Sequence, residues 1–231
     1  MKVLAWILLS ASALSGYEFL TPETQALQDD DFANPGMLWV EEGGALFREQ
    51  CTGCHAVDAM RGVAARFPRI VEGELHTLDT QVRRCQVRVV QPPWALPDWE
   101  TRPHLATTAW ISHQSRGMPR DLEEYPTWLR EGREEFEKRR GQLDIACMHC
   151  HERNAGRRLR DELISQGQIN GFPIYRVSWE TLGSVQQMFR WCNEQVRSEP
   201  HRYGHRNYRA LEYYLAWRGR ELPLESPAVR R

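Results

Sequence analysis

The sequence predicts an all-α fold in which two similar helical domains follow an extended N-terminal arm. Three observations favour this fold: apolar side chains recur at helical spacing, prolines and glycines separate the helical segments, and one order of features occurs twice along the chain. The 231 residues are enough for one or two compact domains. Apolar residues make up 41% of the chain and charged residues 26%, which excludes a disordered chain and a multi-span membrane protein.

The charge balance of the chain bears on its partners. Lys and Arg together number 30 and Asp and Glu number 31, so the formal net charge is -1. Proteins that bind nucleic acids neutralise phosphates with an excess of basic side chains. We therefore expect no nucleic-acid partner.

The first residues have the order of features found in a secretory signal peptide. Lys2 is followed by an apolar run over residues 3–9 and then by small residues up to Gly16. The apolar run is shorter than the roughly 20 residues that a membrane-spanning helix needs. We expect a signal peptide at residues 1–16, cleaved after Ala13 or after Gly16, and a protein exported to the periplasm without a membrane span.

Residues 17–127 form the first predicted domain. Residues 17–35 are polar and acidic, which predicts an extended arm that wraps a neighbouring protein or the domain itself. Pro92, Pro93 and Pro97 interrupt the helical pattern because proline has no amide N–H to donate. Apolar side chains at helical spacing predict helices over residues 37–50, 75–90 and 106–113.

Residues 128–231 form the second predicted domain. Residues 166–173 and 199–205 are rich in glycine, proline and polar side chains, and this composition predicts loops. Helices are predicted over residues 128–140, 182–197 and 208–217.

The two predicted domains repeat the same features in the same order. Trp39 and Trp128 each open a Trp-x-x-x-Gly segment that ends four residues before a phenylalanine, and each segment precedes a Cys-x-x-Cys-His motif. A further cysteine follows in each half, with an arginine two positions before it. We infer an internal duplication with a boundary near residue 127.

Two Cys-x-x-Cys-His motifs indicate covalent attachment of c-type haem. They consist of Cys51, Cys54 and His55, and of Cys147, Cys150 and His151. The two thiols of such a motif can form thioethers with the haem vinyl groups, while the histidine that follows ligates the iron. A zinc site made from both pairs would need a gap of roughly 15–20 residues, far shorter than the gap between the two motifs. We therefore expect two covalently bound haem c groups.

Cys85 and Cys192 are the two cysteines outside these motifs. Each follows its own motif at a similar point of its half, which favours one thiolate ligand for each iron. A disulfide between them is the alternative, and Met118 is another candidate ligand of the first iron. A thiolate donates electron density to iron and favours its oxidised state, which suits sulfur chemistry better than a simple electron shuttle.

Three segments of the second half carry a family resemblance. They are residues 147–151 (CMHCH), residues 166–176 (QGQINGFPIYR) and residues 189–197 (FRWCNEQVR). These segments resemble the A subunits of the thiosulfate-oxidising Sox cytochromes, and the resemblance extends over nearly the whole chain after the signal peptide. It implies that the two domains are cytochrome c-like and are related by a pseudo-twofold axis.

The resemblance also implies an activity, that of an L-cysteine S-thiosulfotransferase. Such a subunit pairs with a small monohaem cytochrome c subunit, joins thiosulfate oxidatively to a cysteine of a sulfur-carrier protein, and passes two electrons to a c-type cytochrome. By resemblance, His55 and Cys85 ligate the first iron. His151 and Cys192 ligate the second iron, which is the active one.

An arginine is expected beside the active cysteine, because guanidinium groups bind oxyanions through forked hydrogen bonds. The family pattern leads us to expect a basic residue four positions before Cys192, but Met188 stands there. Arg190 is the nearest substitute, so Cys192 and Arg190 are the predicted catalytic residues. Three other functions stay open: a thiosulfate dehydrogenase that forms tetrathionate, a non-enzymatic dihaem electron carrier, and a dihaem peroxidase.

Overall fold

The computed structural model describes residues 19–89, 99–159 and 162–231. The predicted signal peptide and the proline-rich break at residues 92–97 lie outside these ranges. The helices are α1 (Pro22–Asp29), α2 (Met37–Gln50), α3 (Leu78–Val89), α4 (Arg102–His113), α5 (Pro126–Glu137), α6 (Cys147–His151), α7 (Val185–Gln195) and α8 (Arg206–Arg218). Across the three described ranges, no helix has the length and apolar character needed to cross a membrane.

Short strands correct the all-α prediction to a helix-rich fold with small sheets. The strands are β1 (Arg69–Val71), β2 (Glu74–His76), β3 (Arg158–Leu159), β4 (Glu162–Leu163), β5 (Ile174–Arg176), β6 (Thr181–Gly183) and β7 (Ala228–Arg230). β1 pairs with β2 and β3 pairs with β4, both antiparallel, while β5 lies between antiparallel β6 and parallel β7. Strands of two or three residues are too short to show an alternating pattern in the sequence.

The observed helices agree with the predicted ones in place and differ in their ends. α2 has the predicted bounds. α4 and α5 begin earlier than predicted, with Pro103 and Pro126 in their first turns. Proline is tolerated there because the N–H groups of the first turn have no acceptor within the helix. α3 and α7 begin later because Leu75 and Leu182 belong to β2 and β6.

The N-terminal segment contains a helix, so the prediction of an extended arm is wrong over residues 22–29. Thr21 caps α1 by accepting a hydrogen bond from the Thr24 N–H at 3.3 Å. Near the helix end, the buried Gln28 accepts a hydrogen bond from the Val229 N–H at 3.1 Å and donates one to Glu225. The segment is therefore tied to the C-terminal part of its own chain.

Two close helix pairs, α2 with α4 and α5 with α8, form the framework. At Gly43, a Cβ atom would lie 1.9 Å from the carbonyl oxygen of Ala106, and at Gly132 it would lie 2.1 Å from that of Ala210. Only glycine permits so close an approach of two helix backbones. This packing explains why glycine occurs inside both helices although it lowers helix propensity.

Similar side-chain contacts flank each helix pair. The Arg102 guanidinium lies 4.1 Å from the ring centre of Trp39, and that of Arg206 lies 4.0 Å from the ring centre of Trp128. Each arginine also pairs with a glutamate on the same helix as the tryptophan. Inside the pairs, Phe47 packs on Trp110 and Phe136 packs on Tyr214.

The hairpins carry apolar side chains across the predicted domain boundary. Leu75 of β2 is fully buried in a cluster with Trp128 and Tyr213, which belong to the second half. Leu182 of β6 is buried in a cluster with Trp39 and the α4 residue Leu105, which belong to the first half. The hydrophobic core is therefore shared between the halves.

Candidate haem-binding sites

The first Cys-x-x-Cys-His motif forms a turn directly after α2. The Cys51 N–H donates to the Phe47 carbonyl at 2.8 Å and closes the helix. The N–H groups of Cys54 and His55 both donate to the Cys51 carbonyl at 3.0 Å. This turn presents Cys54 and His55 at an exposed position beside the half-buried Cys51.

Cys85 of α3 lies beside this motif. The pKa of the Cys51 thiol is raised, first by burial and then by the charges of Cys85 and Cys54, so the three sulfur atoms are close. Gln81, one helical turn before Cys85, donates its side-chain N–H to the Cys85 Sγ at 3.5 Å. The structure thus brings together the sulfur atoms predicted for the first haem.

The second motif forms the short helix α6. The His151 Nδ1 lies 2.9 Å from the Ser165 carbonyl oxygen, and because that oxygen only accepts, Nδ1 carries the proton. The Nε2 atom therefore keeps the lone pair that a metal ligand needs. Burial lowers the pKa of His151, which favours this neutral imidazole. Gly167 (φ +77°) lets the predicted loop over residues 166–173 pass close to the histidine.

Cys192 of α7 lies beside the second motif. The pKa of the Cys192 thiol is raised to about 12, mainly by burial and then by the charges of Cys147 and Cys150. The charge of Arg176 acts in the opposite direction. A thiolate at Cys192 therefore depends on a positive partner, and ferric iron is such a partner.

Arg176 of β5, and not Arg190, is the arginine whose charge acts on the Cys192 thiol. Its guanidinium lies 4.9 Å from the ring centre of Trp191 and 5.3 Å from that of Trp179. The predicted Arg190 donates from Nη1 to the His201 carbonyl at 2.5 Å and lies over the ring of Tyr203 at 4.9 Å. The structure thus gives Arg190 contacts away from the thiol.

Sequence reasoning missed Arg176 because it is distant from Cys192 along the chain. The β5–β6 hairpin returns the chain to α7 and brings the two residues together. Arg176 is the last residue of the segment over residues 166–176 that resembles the family. That position is the sequence signal that marks it as a candidate site residue.

The donor atoms in each half fit a covalently attached haem. Each half supplies two motif thiols, a histidine directly after them, and a further cysteine on a later helix. All six cysteines are free thiols, so Cys85 and Cys192 are not joined to each other. Within the described ranges, no group of three or more His, Cys, Asp and Glu side chains is arranged to hold a bare metal ion. Met118, the other candidate ligand, packs against Ala64, Ala65 and Leu224.

Comparisons with known proteins agree with this arrangement. Residues 37–120 match the family model "SoxA/TsdA, cytochrome c domain". The L-cysteine S-thiosulfotransferase subunit SoxA of Rhodovulum sulfidophilum is 39% identical, over 94% of this chain and 79% of the relative. The SoxA subunit of Paracoccus pantotrophus is 35% identical, over 94% of this chain and 78% of the relative. The crystal structure of SoxXA from P. pantotrophus superposes with a TM-score of 0.86 and 34% identity, over 94% of this chain and 86% of that one.

Proposed function

The chain belongs to the SoxA family of L-cysteine S-thiosulfotransferase subunits, and we propose that it attaches thiosulfate oxidatively to a cysteine of a sulfur-carrier protein. The observation that carries this proposal is the position of Cys192. Its thiol lies on α7, beside the motif thiols Cys147 and Cys150. The charge of Arg176 acts on this thiol. A simple electron carrier has no need of an arginine beside a ligand thiol.

The proposed reaction joins two sulfur atoms and releases two electrons. The Cys192 thiol and thiosulfate form a sulfur–sulfur bond, with release of the thiol proton and two electrons. The carrier thiol then attacks this bond, takes the thiosulfate group and returns Cys192 to its thiol form, as in thiol–disulfide exchange. A bound haem supplies the one-electron chemistry that passes the electrons to a c-type cytochrome.

The side chains of this chain have distinct tasks in the reaction. Cys192 is the nucleophile, and the positive charge of Arg176 favours the thiolate form, which is the reactive one. The Arg176 guanidinium, stacked against Trp179 and Trp191, can hold the sulfonate oxygens of thiosulfate through forked hydrogen bonds. His151 is held by the Ser165 carbonyl so that its Nε2 faces away from that bond.

We further propose two haem c groups. His55 and Cys85 would ligate the first iron, and His151 and Cys192 the second. Support comes from the two complete motifs and from the placing of one further cysteine beside each.

We propose that the protein pairs with a small monohaem cytochrome c subunit in the periplasm. The matching crystal structure is of SoxXA, and the first 16 residues have the composition of a signal peptide. Thiosulfate, the sulfur-carrier protein and a c-type cytochrome acceptor are the remaining proposed partners.

The finer architecture that we propose is a duplication, with cytochrome c-like domains at residues 17–127 and 128–231. Matched contacts support it: a glycine packed on an alanine carbonyl in each helix pair, and an arginine on a tryptophan beside each pair. A short antiparallel hairpin also precedes the helix with the further cysteine in each half.

The decisive experiment replaces the proposed nucleophile. Cys192→Ala and Cys192→Met should abolish thiosulfate-dependent reduction of a c-type cytochrome in the presence of carrier protein, while mass and absorbance spectra show both haems attached. The matched control, Cys85→Ala, should retain turnover. Undiminished turnover in both Cys192 variants would refute the proposal.

A second arm separates the proposed activity from that of a thiosulfate dehydrogenase. The wild-type complex is incubated with thiosulfate and acceptor but without the carrier protein. We expect little acceptor reduction and no tetrathionate. Full turnover in the absence of carrier would show that the protein joins two thiosulfate ions instead.

A further inference from the structure

A groove of about 430 Å³ lies at the junction of the two halves, and none of the described residues that line it is a cysteine. α3 contributes one wall, and the segment from the end of α7 to the first turns of α8 contributes the other. The residues that matter for its chemistry are Arg83, Arg84, Arg202, Arg209, Trp99 and Tyr203. We call it the arginine groove.

Few negative charges compensate the four guanidinium groups. Arg84 pairs with Glu72, and Arg209 lies 3.4 Å from a carboxylate oxygen of Glu74. The side chains of Glu72 and Glu74 are 70% and 59% exposed, so solvent weakens both pairs. No carboxylate is among the described residues that line the groove. The electrostatic potential there should therefore be positive and should attract anions.

Two guanidinium nitrogens, one in each wall of the arginine groove, donate no hydrogen bond. The Nη1 of Arg83 and the Nε of Arg209 are buried without a hydrogen-bond acceptor. A buried charged donor without an acceptor is unfavourable, and a rotation of the guanidinium towards an anion in the groove would relieve it. Arg209 is otherwise anchored, since its Nη1 donates to the Leu75 carbonyl at 2.8 Å.

The walls of the arginine groove are built from stacked side chains. The Arg83 guanidinium lies 5.9 Å from the ring centre of Trp99, and Trp99 stacks on Tyr203 with the ring planes 16° apart. Gly204 (φ +71°) donates its N–H to the Gln186 side chain at 2.7 Å and so holds the loop in place. A Cβ at Gly204 would lie 3.5 Å from the Trp99 ring, which is ordinary contact, and the positive φ is what disfavours a larger residue there. The aromatic side chains and the loop of these walls are therefore held in position before any ligand binds.

The groove is separate from the haem ligands. Arg83 precedes Cys85 by two positions, which corresponds to about 200° around the helix. Arg83 and Cys85 therefore lie on opposite faces of α3. None of the residues predicted to hold the haems lines the groove.

We propose that the arginine groove is a binding site for a tetrahedral oxyanion with two negative charges. Guanidinium groups match such anions because their N–H groups donate in pairs to neighbouring oxygens. Sulfate, thiosulfate and phosphate share this chemistry. The site lies apart from Cys192, and the proposal does not depend on the reaction proposed above.

The test measures anion binding directly. The full-length protein with its haems attached is titrated calorimetrically with sodium sulfate at low ionic strength, alongside the double variant Arg83→Gln/Arg202→Gln. We expect saturable binding to the wild type and an affinity at least about tenfold lower in the variant, because charge-assisted hydrogen bonds are lost. The matched control is Arg130→Gln, an exposed arginine on α5, which should bind as the wild type does.

Further variants and anions provide additional tests of the proposed site. Arg202 is exposed, so the single variant Arg202→Glu should fold even if the double variant does not, and it should also lose sulfate binding. Cys192→Ala should bind sulfate normally, which separates this site from the proposed reaction. Titrations with thiosulfate and phosphate show which oxyanion is preferred. Absence of saturable binding in the wild type, unchanged binding in Arg202→Glu, or saturable binding of a polyglutamate peptide but not of sulfate would overturn the proposal.

Discussion

At the scale of single residues, the surroundings of Cys192 determine its reactivity. Burial, followed by the charges of Cys147 and Cys150, raises its pKa to about 12, so the side chain would be a neutral and unreactive thiol at physiological pH. The charge of Arg176 opposes this shift without overcoming it, so a thiolate requires further positive charge at the site. The two tryptophan rings beside Arg176 restrict its guanidinium, which lowers the entropy lost when an oxyanion binds.

We predict that Arg176→Gln lowers kcat/KM for thiosulfate by about tenfold or more, because the forked hydrogen bonds to the substrate are lost. The matched variant is Arg190→Gln, whose wild-type side chain contacts the His201 carbonyl and the Tyr203 ring. That variant should lower the melting temperature and leave the thiosulfate dependence unchanged. Steady-state rates across a thiosulfate series distinguish the two; the reverse pattern would return the catalytic role to Arg190.

Glu212 is a buried carboxyl group at the junction of the halves. Its pKa is raised from 4.5 to about 8, mainly by burial and then by the charge of Asp79, while Gln186 and Arg120 act in the opposite direction. The folded protein therefore holds the proton more tightly than the unfolded chain does. This group stabilises the fold fully below pH 4.5 and loses its contribution as the pH rises to about 8.

We predict that Glu212→Gln, which cannot ionise, raises the melting temperature at pH 8.5 and changes it little at pH 4.5. Gln186 can still donate to the new amide oxygen, as it does to the carboxylate at 3.2 Å, so the packing should be kept. Thermal unfolding followed by circular dichroism at several pH values gives the comparison. A variant with the same pH profile as the wild type would show that Glu212 is ionised in the folded protein.

At the scale of elements, the helix pairs depend on glycine. The close approach of α5 and α8 places the Gly132 Cα against the backbone of Ala210, and α2 and α4 meet in the same way at Gly43. The glycine pattern lowers the helix propensity of α2 and α5, and the packing of their apolar faces compensates for it.

We predict that Gly132→Ala destabilises the protein by about 1–3 kcal/mol or more, because the added methyl group would overlap a backbone oxygen and force the helices apart. Glu134→Ala is the matched control, since Glu134 is an exposed residue two positions further along the same helix. Urea unfolding of both variants measures the difference. Equal stabilities would show that the helix pair can separate without cost.

At the scale of the whole molecule, the two hairpins connect the halves. Leu75 of β2 is buried among second-half residues, and Leu182 of β6 is buried among first-half residues. The sequence pattern places a domain boundary near residue 127. The structure shows that the halves on either side of it pack around shared apolar clusters. Such sharing couples the stabilities of the two halves.

We predict that the protein unfolds in a single cooperative transition, and that Leu75→Ala lowers the stability of the whole molecule by about 2–5 kcal/mol. Differential scanning calorimetry tests both expectations. Two separate transitions, with only one of them shifted by Leu75→Ala, would mean that the halves unfold independently.

Local patterns were sufficient for much of the fold. The helix over residues 37–50 was predicted with its observed bounds, and the other predicted helices were displaced only at their ends. The short strands and α1 were missed. The strands depend on pairing with distant segments, and α1 on contacts with the C-terminal residues, so neither is visible in a short stretch of sequence.

The sequence by itself determined the covalent chemistry, because the two thiols and the histidine of each haem motif lie within five consecutive residues. The tertiary structure alone decided that Arg176 and not Arg190 acts on Cys192, and that arginines from both halves meet in one groove. Attachment of a haem depends on spacing along the chain, which can be read directly. The charge that acts on a buried thiol depends on spacing through space, and folding sets that distance by bringing together residues remote in sequence.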